Sequence, residues 1–155
     1  MSFQITALAA DRFEPLFALS DDQLADHLAV RVVADAKPGF PCRVSLEDAE
    51  VGEEVLLVNH RHLDAASPFQ ATHAVYVRKG ARQAHPAMDD VPEQLLTRTL
   101  SLRAFDDRGM LVTADLAEGR ELNFALNRLF ELPAASYVHI HYAKPGCYAA
   151  RADRA

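Results

Sequence analysis

The 155-residue sequence has too few cysteines for a disulfide framework and too few basic residues for a typical nucleic-acid-binding protein. Two cysteines cannot hold a small extracellular fold together, so a reducing cytoplasm is the simplest setting. Sixteen lysines and arginines stand against 22 aspartates and glutamates, which gives a net charge of −6. We therefore expect no nucleic-acid partner, because such proteins use basic patches to displace counterions.

Long apolar stretches and targeting signals are missing as well. No run approaches the ~20 uncharged apolar residues that a membrane-spanning helix needs, so we expect no membrane partner. The opening segment has no basic start and reaches Asp11 early, unlike a secretory signal peptide. Half of the residues are hydrophobic and no repeat or linker interrupts the chain, which predicts a single domain over residues 1–155.

Several common catalytic signatures are also absent. The chain contains no GxGxxG, no Walker P-loop and no GxSxG, which argues against Rossmann, P-loop and α/β-hydrolase sites. It contains no CxxC, and Ser45 stands where the second thiol would follow Cys42. No HExxH completes a metalloprotease motif.

Alternation of apolar and polar residues dominates what is present. Together with short valine-rich, apolar and β-branched runs, it predicts strands over residues 3–8, 29–36, 54–60, 74–78, 95–105, 110–114, 136–142 and 147–151. Ser20 with Gln23 forms a capping-box pattern at the start of one helix, and Asp115 with Glu118 resembles a second. We therefore predict an α+β domain with a largely antiparallel sheet and two or three helices packed on it.

The histidines are the first candidates for chemistry. His60-Arg61-His62 and His139-Ile140-His141 are both HxH patterns, and residues i and i+2 of a strand point to the same face. Two such strands would offer three or four imidazoles to zinc, copper, iron or nickel. The ordinary alternative is that His60, His62, His139 and His141 lie on a polar face or at strand ends.

Cys147 is a candidate nucleophile if His139 or His141 acts as its base. The register of the last hairpin decides this. A three-residue loop pairs Ala143 with Cys147 and places the thiol on the histidine face. A two- or four-residue loop turns it to the opposite, apolar face, since a slip of one residue exchanges the two faces.

Arginines form the third candidate set. Arg43 follows a Pro-Cys turn, Arg103 interrupts the Thr/Ser face of a long strand, and Arg78 and Arg151 end strands. Guanidinium groups bind carboxylate and phosphate in bidentate fashion, so convergent arginines would hold a small anion. The alternative is that each arginine pairs with a nearby acid or faces solvent.

A resemblance rests on motifs spread over most of the chain. They are Pro41-Cys42-Arg43-Val44-Ser45-Leu46, Gly52-Glu53, Ser67-Pro68-Phe69, Ala74-Val75-Tyr76-Val77-Arg78, Leu102-Arg103-Ala104-Phe105-Asp106, Tyr137-Val138-His139-Ile140 and Gly146-Cys147-Tyr148 with Arg151 and Arg154. In this order, from about residue 38 onward, the chain resembles a bacterial family of unknown function, domain of unknown function 1203. The resemblance implies a small single-domain bacterial protein and no particular activity.

The chain departs from the family pattern at a few positions. Members often carry a cysteine where this chain has Ser45, an aromatic residue near His60 and an arginine near His141. What the resemblance supports best is a set without histidines, namely Cys42, Arg43, Arg103, Cys147 and Arg151.

The sequence therefore leads to one main hypothesis and three alternatives. The main hypothesis is a small cytoplasmic binding or accessory protein that holds a small anionic ligand against Arg43 and Arg103, with Cys42, Cys147 and Arg151 around the pocket. The alternatives are an enzyme that uses Cys147, a metal-binding module that uses the HxH histidines, and an interaction domain that forms a homodimer.

Overall fold

Eight strands and three helices make up the computed structural model, which describes residues 1–155. The strands are β1 (Phe3–Thr6), β2 (Ala29–Val33), β3 (Glu54–Leu63), β4 (Ala71–Arg78), β5 (Thr99–Phe105), β6 (Leu111–Glu118), β7 (Tyr137–Tyr142) and β8 (Tyr148–Arg154). The helices are α1 (Asp21–Asp26), α2 (Glu93–Leu96) and α3 (Leu122–Phe130), with short 3-10 segments at Ala10–Arg12, Glu14–Ala18 and Gly119–Glu121.

The strands form two sheets, not one. The larger sheet has the order β1-β8-β7-β5-β6, and the smaller has the order β2-β3-β4. Every strand pair is antiparallel. The predicted α+β class with antiparallel pairing is confirmed, and the sequence pattern did not reveal that the strands divide between two sheets.

One face of the larger sheet is apolar because β5 and β7 alternate in phase. Leu100 and Leu102 on β5 and Val138 and Ile140 on β7 are fully buried there, in one cluster with residues of α3 such as Leu126. Residues two apart on a strand share a face, so Arg103 and the histidines of β7 lie on the reverse side.

The smaller sheet has a buried face of its own. Leu56 and Val58 on β3 cluster with Val75 and Val77 on β4, and Tyr148 from β8 of the larger sheet belongs to the same cluster. Tyr148 is the Cα partner of His141, which places it on the histidine face of the larger sheet. The smaller sheet therefore packs against that face.

Two local predictions have opposite outcomes. Ser20 caps α1 in a complete capping box, in which the Ser20 hydroxyl accepts from the backbone N–H of Gln23 and the Gln23 side chain accepts from that of Ser20. The second predicted helix exists as α3, but its predicted start at Asp115 is wrong, because β6 continues to Glu118 and α3 begins only at Leu122.

Gly119, in the 3-10 segment that leads into α3, packs closely against α2. A Cβ on Gly119 would lie 1.9 Å from the backbone oxygen of Leu95, so this position requires glycine for a close backbone approach. Leu95 itself lies in α2 and is fully buried, whereas alternation predicted that a strand begins there. None of the helices is long and apolar enough to cross a membrane.

Candidate metal centre

Four imidazoles meet where the two sheets face each other. His139 and His141 come from β7 of the larger sheet, and His62 and His73 come from β3 and β4 of the smaller one. His62 Nδ1 lies 3.0 Å from His139 Nδ1, and His62 Nε2 lies 2.7 Å from His73 Nδ1. One ring nitrogen each from His62, His139 and His141 lies within 4.8 Å of the other two.

A β-bulge directs His62 into this cluster. On β3, Arg61 pairs with Thr72 and Leu63 pairs with Ala71, so His62 is an extra residue with no partner across the ladder. Bulges re-aim a side chain and are common next to functional sites. The bulge brings His62 against His73, although the direct partner of His73 is His60.

The histidines are held neutral by burial. Desolvation, reinforced by the neighbouring imidazoles and Arg103, lowers the pKa of His139 to about 3 and that of His141 to about 4. Desolvation and the other histidines lower the pKa of His62 to about 2. Burial also lowers the pKa of His73. Neutral imidazole is the form that binds a metal ion, so these side chains need release no proton to do so at neutral pH.

His141 carries the most informative atom of the cluster. Its Nδ1 lies 3.0 Å from the carbonyl oxygen of Gly146, which only accepts, so Nδ1 carries the proton. The other nitrogen, Nε2, is then a bare lone pair, and it is buried without any hydrogen-bond partner. A ring N–H held by a backbone carbonyl, with the opposite nitrogen free, is the arrangement typical of metal-ligating histidines.

One pair of nitrogens has the spacing of a metal site. Zn–N bonds of about 2.0–2.1 Å in a tetrahedral site place neighbouring ligand nitrogens about 3.3 Å apart. The 3.0 Å between His62 Nδ1 and His139 Nδ1 is close to that value, whereas the group of three nitrogens extends to 4.8 Å, so the rings would move closer together around an ion. Two open clefts of about 470 and 540 Å³ are each lined by His62 and His139, so the cluster is reachable from solvent.

Three of the four predicted histidine ligands converge, and one does not. His60 lies apart, with its ring 5.8 Å from the Phe13 ring and 6.5 Å from the Tyr148 ring. His73 takes its place, and sequence reasoning missed it because the predicted strand began only at Ala74. Burial alternates along Ala71–Arg78, but the adjacent polar residues Thr72 and His73 interrupt the alternation of residue type, so the sequence pattern did not extend the strand to His73.

The predicted cysteine–histidine pair does not form. The backbone N–H of Tyr142 donates to the carbonyl of Cys147, which closes a four-residue loop, the register that turns the thiol away from the histidines. Cys147 Sγ instead accepts from Arg43 Nη2 at 2.9 Å. Neither His139 nor His141 hydrogen-bonds the sulfur, so the geometry does not favour the predicted nucleophile–base pair.

Arg43 and Arg103 occupy different surroundings. Arg43 is 1% exposed and borders a cavity of about 520 Å³ that Arg103 does not line. Arg103 is half-buried beside the imidazoles, opposite His139, and has no hydrogen bond or ion pair within the chain. Both guanidinium groups lie close enough to His73 and His141 to lower the pKa of each. Anion binding by the two together stays a prediction.

The remaining predicted pocket residues lie elsewhere. Arg151 forms an ion pair with Asp153 at 2.6 Å and stacks over the Tyr137 ring at 4.0 Å. Cys42 is fully buried, where its sulfur accepts from the backbone N–H of Arg78 and does not line the Arg43 cavity. Of the predicted anion-binding set, only Arg43 and Cys147 border one cavity together.

Two antiparallel sheets with a histidine cluster between them define a small α+β protein with a candidate metal centre. Within that class, the DUF1203 family, described as a protein of unknown function, matches residues 39–154, and the chain belongs to this family. The resemblance seen in the sequence is thereby confirmed. The matched range includes all four clustered histidines. No curated protein and no solved structure matches the chain.

Proposed function

We propose that this protein binds one divalent transition-metal ion through His62, His139 and His141. The observation that carries the proposal is the buried, unpartnered Nε2 of His141, a residue that also places a ring nitrogen within 4.8 Å of ring nitrogens of His62 and His139. An orphaned buried acceptor is costly, and a metal ion would satisfy it.

Hydrogen bonds at the second ring nitrogen support two of the three ligands, His62 and His141. His62 Nε2 lies 2.7 Å from His73 Nδ1, so His62 can donate there and keep its Nδ1 lone pair for the metal. His141 donates from Nδ1 to the Gly146 carbonyl and keeps the lone pair of Nε2. His73 is then a positioning residue that sets the tautomer of His62.

The donor set selects the kind of metal. Three neutral imidazoles suit zinc, copper, iron or nickel better than calcium or magnesium, which prefer oxygen ligands. No aspartate, glutamate or cysteine belongs to the ligand group. Three protein ligands leave a fourth tetrahedral position for water or another small ligand, as in zinc sites that keep an open position.

The test is metal binding by protein made without a histidine tag. Metal-free protein is titrated with Zn²⁺ against a chromogenic chelator, and with Co²⁺ while its visible absorption is recorded. We expect one ion per chain and a Co²⁺ spectrum with the strong bands of four-coordination. Failure of Zn²⁺, Co²⁺, Ni²⁺ and Cu²⁺ alike to bind at one ion per chain would overturn the proposal.

Matched variants separate the site from the fold. His62→Ala and His141→Ala should each weaken Zn²⁺ binding by at least about 100-fold, since each removes a ligand. His60→Ala, two residues from His62 on the same strand, should bind Zn²⁺ as the unaltered chain does. Circular dichroism and thermal melting identify any variant that fails to fold. Equal losses in the His60 and His62 variants would contradict the ligand assignment.

A further inference from the structure

A second group of functional side chains lies outside the histidine cluster. The Arg43 guanidinium donates three hydrogen bonds, from Nε to the Tyr148 carbonyl at 2.8 Å, from Nη1 to the Pro41 carbonyl at 2.6 Å, and from Nη2 to Cys147 Sγ at 2.9 Å. A guanidinium has five N–H groups, so two of them have no acceptor within the chain. The side chain is 1% exposed.

Arg43 has no carboxylate partner, which is unusual for a buried charge. None of the ion pairs of the protein includes it. Buried charges are costly unless they are paired. Of its three acceptors two are neutral carbonyls, so the only one that can become an anion is the sulfur of Cys147.

The thiol is also accessible. Cys147 is partly exposed and borders the 520 Å³ cavity together with Arg43. The other charged or titratable groups of the cavity are Arg98, Lys144, Tyr76 and Tyr142. Arg98 is paired with Asp48 at 2.7 Å, whereas the exposed Lys144 has no ion-pair partner. The cavity therefore has a positive balance around the sulfur.

We propose that Cys147, whose sulfur is held by Arg43, is a reactive thiol that exchanges with small anionic disulfides entering the cavity. In the reaction, the thiolate attacks one sulfur of RS–SR, a new S–S bond forms on Cys147, and the other sulfur leaves as RS⁻ with the bonding electron pair. The product is a mixed disulfide, and a free thiol reverses the reaction. This site is separate from the proposed metal centre and does not depend on it.

Charge selectivity of the exchange is the first test. The metal-free protein is treated with dianionic dithiobis(nitrobenzoate) and with neutral dithiodipyridine, and each rate is divided by that of free mercaptoethanol. Mass spectrometry of peptides distinguishes Cys147 from the fully buried Cys42, which serves as the internal control. We expect Cys147 to react faster than Cys42 and to favour the dianionic reagent about tenfold. Equal normalised rates would overturn the anionic preference.

The selectivity of alkylation is the second test and requires no variant. Cys147 is partly exposed at the cavity, whereas Cys42 is fully buried. Iodoacetamide should therefore alkylate Cys147 faster than Cys42 in the folded protein. Equal rates at the two cysteines would overturn the assignment of Cys147 as the reactive thiol.

Two variants with a matched control locate the charges responsible. Lys144→Gln should reduce the preference for the dianionic reagent about threefold, whereas Lys79→Gln, an exposed lysine paired with Glu54, should leave it unchanged. Arg43→Lys, if thermal melting shows that it folds, should slow alkylation of Cys147 at pH 6 because the guanidinium contact is lost. Unchanged alkylation in that variant would contradict the role of Arg43.

Discussion

The two faces of β7 are equally buried and chemically opposite. Val138, Ile140 and Tyr142 point into the core beneath α3, while His139 and His141 point towards the smaller sheet, and all five are buried. One face gains free energy from removal of apolar surface. The other buries imidazoles, and removing polar groups from water costs free energy. A face that bears such a cost is a better candidate for function than a cavity alone.

Acid should produce the largest difference between the two faces. The folded-state pKa values of His139 and His141, about 3 and about 4, lie below the ordinary value of 6.5, so unfolding takes up protons. Their stabilising contribution is complete above pH 6.5 and is lost as the pH falls towards 4. Two such groups make the free energy of unfolding fall by up to about 2.7 kcal/mol per pH unit, at about 1.4 kcal/mol each.

Urea denaturation of metal-free protein at pH 7, 6 and 5 measures this slope. His141→Gln should reduce the slope by the share of one group. A slope that does not change in this variant would show that the histidines of β7 are not responsible for the acid sensitivity.

A change on the apolar face should lower stability without changing its pH dependence. Ile140→Ala removes a fully buried side chain, and the cavity costs about 2–5 kcal/mol of unfolding free energy. Urea denaturation at the same pH values should show parallel curves. Leu116→Ala, at an exposed position of the edge strand β6, should cost less than about 0.5 kcal/mol. A pH slope altered by Ile140→Ala would mean that the two faces are coupled.

The smallest effect is expected from the charge beside the histidines. Arg103 lowers the pKa of His139 and His141, and the same charge repels a bound cation. Arg103→Gln should tighten Zn²⁺ binding about tenfold, the order expected when a single nearby positive charge is removed at an effective dielectric constant between those of protein and water. Competition titration measures it. Weaker binding would show instead that Arg103 holds an anion on the metal.

Much of the fold followed from alternation in the sequence. The phase of Leu100, Leu102 and Ala104 against Ser101 and Arg103 correctly predicted the two faces of β5. Alternation predicted the wrong secondary structure where contacts with distant parts of the chain determine it. The capping-box pattern at Asp115 lies within β6, and the close packing of Gly119 against Leu95 just before α3 is not visible in the sequence.

The candidate site was harder to predict, for two local reasons. The HxH spacing placed His60 and His62 together, but a bulge at His62 separates their surroundings, and a bulge changes no residue type. The face of the sheet on which Cys147 lies depends on whether the hairpin loop has two, three or four residues. The sequence around Lys144-Pro145-Gly146 allows each length. Where such a loop ends is decided by hydrogen bonds such as that between Tyr142 and Cys147.

The division of the ligands between the two sheets has a mechanical consequence. His62 and His139 are 77 residues apart in the chain, so an ion held by both would act as a reversible cross-link that clamps one layer onto the other. Unfolding would then require the ion to leave, and stability would increase with the logarithm of free metal once its concentration exceeds the dissociation constant. The protein would be more stable in a cell with abundant metal than in a metal-deficient cell, so its lifetime would depend on the metal supply.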